Sequence, residues 1–103
     1  MKVKINKFYF AIREMKDESE LQADKDIVLL GLTNYLKQEI ILRSGMSKAL
    51  LYETLIHELT HAFIFSYGYS NVEAFNHEQI CEFVGVYADN IVQIANKYIK
   101  GAK

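Results

Sequence analysis

The sequence predicts one α+β domain, with a small N-terminal antiparallel sheet of about three strands followed by two helices. Before Arg43 the chain holds short runs of β-branched and aromatic residues, which favour strands. After Gly45, two long segments repeat apolar residues at helical spacing, and no proline interrupts them. A length of 103 residues suits a single domain, residues 1–103, that buries roughly two thirds of its unfolded surface.

Composition narrows the possible functions. Twelve Lys+Arg against thirteen Asp+Glu give a net charge of −1, and no basic stripe offers a surface for nucleic acid. The single cysteine, Cys81, excludes an internal disulfide framework. No apolar run is long enough to cross a bilayer, and the start has no secretory-signal pattern. We therefore expect a cytoplasmic protein with neither a nucleic-acid nor a membrane partner.

The predicted strands lie in the first part of the chain. Val3–Ile12 partly alternates and is rich in aromatic residues, which is typical of one half-buried strand. The charged segment Glu14–Asp26 has no clear periodicity and is expected to be a loop, or a loop with a short helix at residues 17–23. Ile27–Leu32 and Glu39–Leu42 are two further strands, joined as a hairpin through the residues between them.

The two predicted helices follow a turn at Arg43–Gly45. The first spans Ser47–Ser66, with Ser47 as a plausible N-cap and Gly68 as the stop. The second begins near Ala74 to Asn76 and runs to about Lys100. Its predicted apolar stripe comprises Ile80, Phe83, Val84, Tyr87, Ile91, Ile94 and Tyr98.

The first helix contains His57-Glu58-Leu59-Thr60-His61, which uses two of the three histidines. Residues i and i+4 share one helix face, so both imidazoles can converge on one metal ion. Glu58 lies about 100° around the helix from His57, near the open side of such a metal, where it can take a proton from water. A zinc site that holds a reactive water needs a third protein ligand and an open position, so a further ligand is expected downstream.

One face of the second helix carries the candidates for that ligand. Glu78, Glu82, Gly85 and Asp89 follow each other at spacings of four, three and four. Aligned carboxylates repel one another unless a positive or hydrogen-bonding group faces them, and a zinc ion with its histidines would do so. Gly85 costs about 1 kcal/mol against alanine in a helix, and a close approach of the two helices would explain it.

The two helices together resemble the signature of the gluzincin metallopeptidases, of which thermolysin is a member. In that family the second helix supplies a zinc-binding glutamate, and an acidic residue four positions later hydrogen-bonds a zinc histidine. The resemblance implies a minimal zincin-like fold in which His57, His61 and Glu78 bind Zn²⁺ and Glu82 orients a histidine. Glu82 stays open as the alternative ligand, since it shares the face of Glu78.

A second resemblance covers roughly Ile27 to Asp89. The stretches Gly31–Tyr35 and Gln38–Leu42, leading into Thr54–Glu58, are similar to small phage and prophage metallopeptidase-like domains related to anti-repressor proteases. Larger gluzincins have a second subdomain that supplies a Tyr or His to stabilise the oxyanion, and we expect a chain of this length not to hold it.

Several residues near the motif therefore carry two interpretations. Tyr69, Tyr67 and His77 are candidate oxyanion stabilisers, although the tyrosines could equally be packing residues and His77 an exposed residue at the helix start. Cys81 could bind zinc, but its apolar neighbours favour a buried, inert thiol. Glu53 and Asp89 are expected at the surface.

The resemblance implies a zinc-dependent peptidase that acts on an intracellular protein, with Glu58 as general base. Substrate is expected to bind as an added strand along an exposed sheet edge. Two other classes stay open: a catalytically inactive zinc-binding regulatory or interaction module of phage type, and a helical interaction protein with a fortuitous motif. Bound zinc would exclude the helical interaction protein. Loss of hydrolysis in Glu58→Gln would distinguish the active peptidase from the inactive zinc-binding module.

Overall fold

The structure is a computed structural model that describes residues 1–15, 21, 29–69 and 76–101. Its elements in chain order are the strands β1 (Lys2–Ile5), β2 (Phe8–Glu14), β3 (Gly31–Asn34) and β4 (Glu39–Leu42), and the helices α1 (Lys48–Ser66) and α2 (His77–Gly101). A small sheet followed by two helices confirms the predicted α+β class. The short helix considered for residues 17–23 lies outside the described residues, except for the buried Leu21.

The sheet differs from the prediction in strand number and in direction. Its order is β1-β2-β4-β3; β1 with β2 and β3 with β4 are antiparallel, whereas β2 and β4 are parallel. The predicted single strand at Val3–Ile12 is wrong because a two-residue turn at Asn6 and Lys7 folds it into a hairpin. Asn6 has φ 56°, a left-handed conformation that asparagine tolerates well and that a strand interior does not contain.

In the second hairpin β4 lies at the predicted residues, Glu39–Leu42, whereas β3 lies further along the chain than the predicted strand Ile27–Leu32. β3 begins at Gly31 rather than Ile27, and the turn occupies residues 35–38. Asn34 starts this turn, and its side-chain oxygen accepts a hydrogen bond of 3.0 Å from the Lys37 amide. Gln38 ends it with φ 55°. Among the strands of the described residues, β3 forms one edge of the sheet, with β4 as its neighbour.

Helix α1 has the predicted ends. The Ser47 hydroxyl accepts a bond of 3.2 Å from the Leu50 amide, which makes Ser47 the N-cap. At the other end Gly68 has φ 84°, and the Tyr69 amide donates to the Ile64 carbonyl at 2.9 Å. This is a Schellman-type C-terminus, in which glycine takes the left-handed position.

The hydrophobic core lies where α1 packs between the sheet and α2. Apolar residues of the sheet form one side of this core, and the buried side chains of α1 fill its centre. The core comprises Ile5, Phe10, Ile12, Ile40, Leu42, Leu51, Leu55, Leu59, Ala62, Phe63, Phe83, Ile91 and Ala95. Burying a large apolar side chain of this kind contributes about 1.5–3 kcal/mol, so this packing fixes α1 against the sheet.

Helix α2 begins with a capping box. The Asn76 side chain accepts a bond of 2.8 Å from the Gln79 amide, and the Gln79 side chain accepts one of 3.0 Å from the Asn76 amide. Five residues of the predicted apolar stripe belong to the core packing, but Ile80 and Val84 are 45% and 53% exposed. In the part of the chain that the structure describes, no helix is long and apolar enough to span a membrane.

Two predictions for α2 are wrong. Cys81 is exposed rather than buried, because it lies about 200° around α2 from Phe83, which is packed in the core with residues of α1. Gly85 does not mark a close approach of the helices, since a Cβ atom added there would meet nothing within 4 Å. The close approach occurs at Gly31 on β3, where an added Cβ would lie 3.0 Å from both Glu58 Cγ and Thr54 Cγ2.

Substitution of these two glycines by alanine should change the free energy of unfolding in opposite directions. In Gly31→Ala the new Cβ would press on the Glu58 and Thr54 side chains, which are buried and have little room to move, so the substitution should lower the free energy of unfolding by about 1–3 kcal/mol, the usual cost of overpacking. Gly85→Ala meets open space inside a helix and should raise it by about 1 kcal/mol. Urea titrations of both variants measure the difference. A stability gain in Gly31→Ala would contradict the described contact between β3 and α1.

Candidate active site

The two histidines of the motif lie together on the surface of α1. The ring centroids of His57 and His61 are 4.9 Å apart, with the planes inclined at 72°. Both side chains are exposed, and both line a cavity that they share with Thr33 of the edge strand. The helix therefore places two imidazoles side by side at a sheet edge, as their spacing predicts.

Glu58 projects from the same helix toward the sheet. Its side chain is only 7% exposed. The Thr33 hydroxyl oxygen lies 2.7 Å from Glu58 Oε1 and 3.0 Å from the Glu58 carbonyl oxygen. A hydroxyl has one proton, and the shorter distance favours donation to the carboxylate. Thr33 thus holds the Glu58 carboxylate in a fixed place between α1 and β3.

A cleft runs between β3 and α1 and ends on these side chains. It consists of two adjoining cavities of about 350 and 260 Å³, whose linings share Leu29, Gly31, His57 and Glu58. The lack of a side chain at Gly31 allows the Glu58 side chain to fit beneath the strand. The cleft therefore has a carboxylate at its floor, imidazoles at one side and an edge strand along the other.

Tyr35 is a cleft residue that the sequence-based prediction missed. It follows β3 directly and lines the smaller cavity with His57, Glu58 and His61. Its ring stacks on Phe65 of α1, with centroids 4.8 Å apart and planes inclined at 19°. Burial, and then the negative charge of Glu58, raise the pKa of Tyr35 above its ordinary value. No local signal in the sequence points to Tyr35, because it falls within the predicted connection between two strands and its place in the cleft follows from the fold.

The two glutamates of α2 do not join the histidines. Glu78 is exposed in the first turn of α2. The Glu82 carboxylate accepts a hydrogen bond of 3.2 Å from the Tyr69 hydroxyl, so its partner is a tyrosine rather than a zinc histidine. α1 and α2 meet through Phe63 of α1 and Phe83 and Tyr87 of α2, whose rings are in contact.

The predicted oxyanion candidates also lie apart from the cleft. Tyr67 packs against Tyr87 at a centroid distance of 4.4 Å, and Tyr69 meets Phe83 edge-on at 5.4 Å. His77 is exposed at the first position of α2. None of the three lines either cleft cavity. The contacts of Tyr67 and Tyr69 are therefore those of packing residues rather than of oxyanion stabilisers in this cleft.

The residues present fit a zinc ion in part. Two exposed imidazoles on one helix face are suitable nitrogen ligands, and a carboxylate lies beside them. Among the residues that the structure describes, however, no group of three or more His, Cys, Asp or Glu side chains is arranged to hold a metal ion. The pair His57 and His61 is therefore the part of the predicted zinc site that the fold assembles.

Comparison with protein-family models, with curated proteins and with solved structures gives no match for this chain.

Proposed function

We propose that this chain is a zinc-dependent peptidase whose site is the cleft between β3 and α1. His57 and His61 would hold the metal, with Glu78 as the third ligand implied by the gluzincin resemblance. Zinc, when bound, would supply Lewis-acid chemistry, activating water as a nucleophile near neutral pH and polarising the scissile carbonyl. The observation that carries the proposal is the pairing of two exposed imidazoles with a buried carboxylate in one cleft.

Glu58 is the residue that moves the proton. Its carboxylate would accept a proton from the attacking water at one Oε atom and later deliver it to the leaving amine. Thr33 donates to Glu58 Oε1, which leaves Oε2 as the oxygen for this transfer. Oε2 also lies near the floor of the cleft, 3.3 Å from where a Cβ on Gly31 would stand. Burial of the carboxylate keeps bulk water from competing for that proton.

Substrate would bind as an extra strand along β3. This strand is a sheet edge, and the cleft runs along it past Glu58 and the histidines. Strand addition gives main-chain hydrogen bonds with little dependence on sequence. Because the cleft is walled by one strand and one helix, a short unstructured peptide gains little binding energy there. The proposed substrate is an intracellular protein with a suitably exposed segment, and the phage-type resemblance implies a repressor-like protein.

Casein hydrolysis tests the proposed function. The protein freed of metal by a chelator should release no new amino termini from casein, and one equivalent of zinc should restore slow release. Turnover should be slow. In a well-formed site, correct positioning of the substrate lowers the activation barrier by about 7–11 kcal/mol, and a shallow cleft achieves only part of this reduction. Zinc binding without hydrolysis, even over long incubation, would favour the inactive binding module instead. Rapid and unselective digestion would contradict the proposed shallow cleft.

A further inference from the structure

We propose that the Tyr35 hydroxyl donates a hydrogen bond to the substrate oxygen on which negative charge develops during hydrolysis. The inference rests on the proposed peptide hydrolysis and adds the donor for which Tyr67, Tyr69 and His77 were the sequence-based candidates. The observation behind it is that Tyr35 lines the same cavity as both histidines and Glu58.

The position of Tyr35 in the fold fixes its ring. It is the first residue after edge strand β3, at the end of the path proposed for the substrate strand. The stack on Phe65 ties the tip of the hairpin to α1, the helix that carries the histidines. A group held in this way needs little reorganisation during the reaction, which is the property that makes a preorganised donor effective.

The other tyrosines do not compete for the role. All seven tyrosines of the chain are among the described residues, and Tyr35 alone lines either of the two cleft cavities. The Tyr69 hydroxyl is bonded to Glu82. Tyr35 is 41% exposed, so its hydroxyl can meet a ligand that enters the cleft.

The proposed donor acts at a defined point of the reaction. The oxygen of water forms a bond to the carbonyl carbon of the peptide while one water proton passes to Glu58. The electron pair of the carbonyl π bond moves to the carbonyl oxygen, and Tyr35 donates its hydrogen bond to that oxygen. When the C–N bond breaks, the pair returns to the carbonyl and Glu58 gives its proton to the nitrogen. The products are a carboxylic acid and an amine, with Tyr35 unchanged.

Tyr35→Phe tests the proposal with the ring and the stack on Phe65 kept. With casein as substrate, kcat should fall about 10²–10³-fold, the usual effect of removing one such donor, while KM and zinc content stay unchanged. Binding is the second readout. Affinity for an N-phosphorylated leucyl dipeptide, a tetrahedral mimic, should fall about 10²-fold, whereas affinity for the N-acetylated dipeptide should not change.

Two variants serve as comparisons. Tyr9→Phe removes a hydroxyl from an exposed tyrosine of β2 and should leave every readout as in the unmodified protein. Tyr69→Phe should also keep kcat, because that hydroxyl bonds Glu82 outside the cleft. A fall in kcat with Tyr69→Phe but not with Tyr35→Phe would overturn the proposal.

The outcomes also separate this inference from the proposed function. An unmodified protein that hydrolyses casein and prefers the phosphorylated dipeptide, with Tyr35→Phe equal to it in both, would overturn the role of Tyr35 alone. An unmodified protein that binds zinc but neither cleaves casein nor prefers the tetrahedral mimic would overturn the proposed function, and the role of Tyr35 with it.

Discussion

Glu58→Gln is expected to lower casein hydrolysis about 10²–10⁴-fold, the range that a general base contributes, while zinc binding is retained. The Thr33 hydroxyl holds one oxygen of the Glu58 carboxylate, and the ligands proposed for the metal are other residues, so we expect its charge not to be needed to hold the metal. Glutamine keeps the shape and can still accept the Thr33 hydrogen bond through its amide oxygen. It cannot take the proton. Initial rates and zinc content of the same preparation measure both effects.

The matched control is Glu53→Gln. Glu53 lies on the same helix, one turn before His57, and lines the larger cleft cavity, but it is exposed. Removing its charge tests whether hydrolysis depends on Glu58 specifically or on any carboxylate that lines the cleft. We expect less than a tenfold change, because an exposed charge is screened by solvent. Equal losses of activity in the two variants would argue against a specific proton-transfer role for Glu58.

His61→Ala is expected to abolish both zinc retention and hydrolysis. With one of two neighbouring imidazoles removed, the remaining histidine cannot hold zinc by itself, because zinc sites in proteins use three or four protein ligands. The exposed position of His61 means that the fold should tolerate alanine, with a change in unfolding free energy of about 0.5 kcal/mol or less. Equilibrium dialysis against a competing chelator gives the affinity for zinc, and circular dichroism checks the fold.

His77→Ala is the control for this measurement, since His77 lies at the start of α2 outside the cleft. It should bind zinc as the unmodified protein does.

The same measurement of zinc affinity shows which carboxylate of α2 binds the metal. Loss of affinity in Glu78→Gln but not in Glu82→Gln supports the ligand set implied by the resemblance, and the reverse result would favour Glu82. Full retention of zinc by His61→Ala would contradict the site altogether.

The sequence was most informative where local rules dominate. The ends of α1 follow from Ser47 as N-cap and Gly68 in a left-handed position, and both are determined by neighbouring residues. The face shared by His57 and His61 follows from helical geometry alone. The apolar stripe of α2 was largely correct because core packing follows helical spacing at Phe83, Ile91 and their neighbours.

One error is local, and the others concern contacts between distant parts of the chain. The turn at Asn6 was missed because apolar and polar residues alternate on both sides of it; the alternation changes phase there, from Val3 and Ile5 to Phe8, Phe10 and Ile12, and one strand was predicted in place of β1 and β2. The exposure of Cys81 depends on how α2 packs against α1, which spacing along α2 does not determine. For the same reason the partner of Glu82 could not be read from its spacing to Glu78. Helical spacing fixes which residues share a face, and the fold decides what that face meets.

The cleft itself was also beyond sequence-based prediction. It depends on β3 lying at the sheet edge and on Gly31 admitting the Glu58 side chain, and both follow from strand order rather than from any local pattern. Tyr35 enters the cleft through the same placement of the β3–β4 hairpin over α1.

The zinc content of the unmodified protein tests the central claim most directly. Protein exchanged with excess zinc and passed through a desalting column should retain about one zinc per chain by elemental analysis, because the ligands that we propose, two histidines and a glutamate, are those of a tight zinc site. Retention of no zinc would contradict a metal site at His57 and His61, and with it the proposed peptidase.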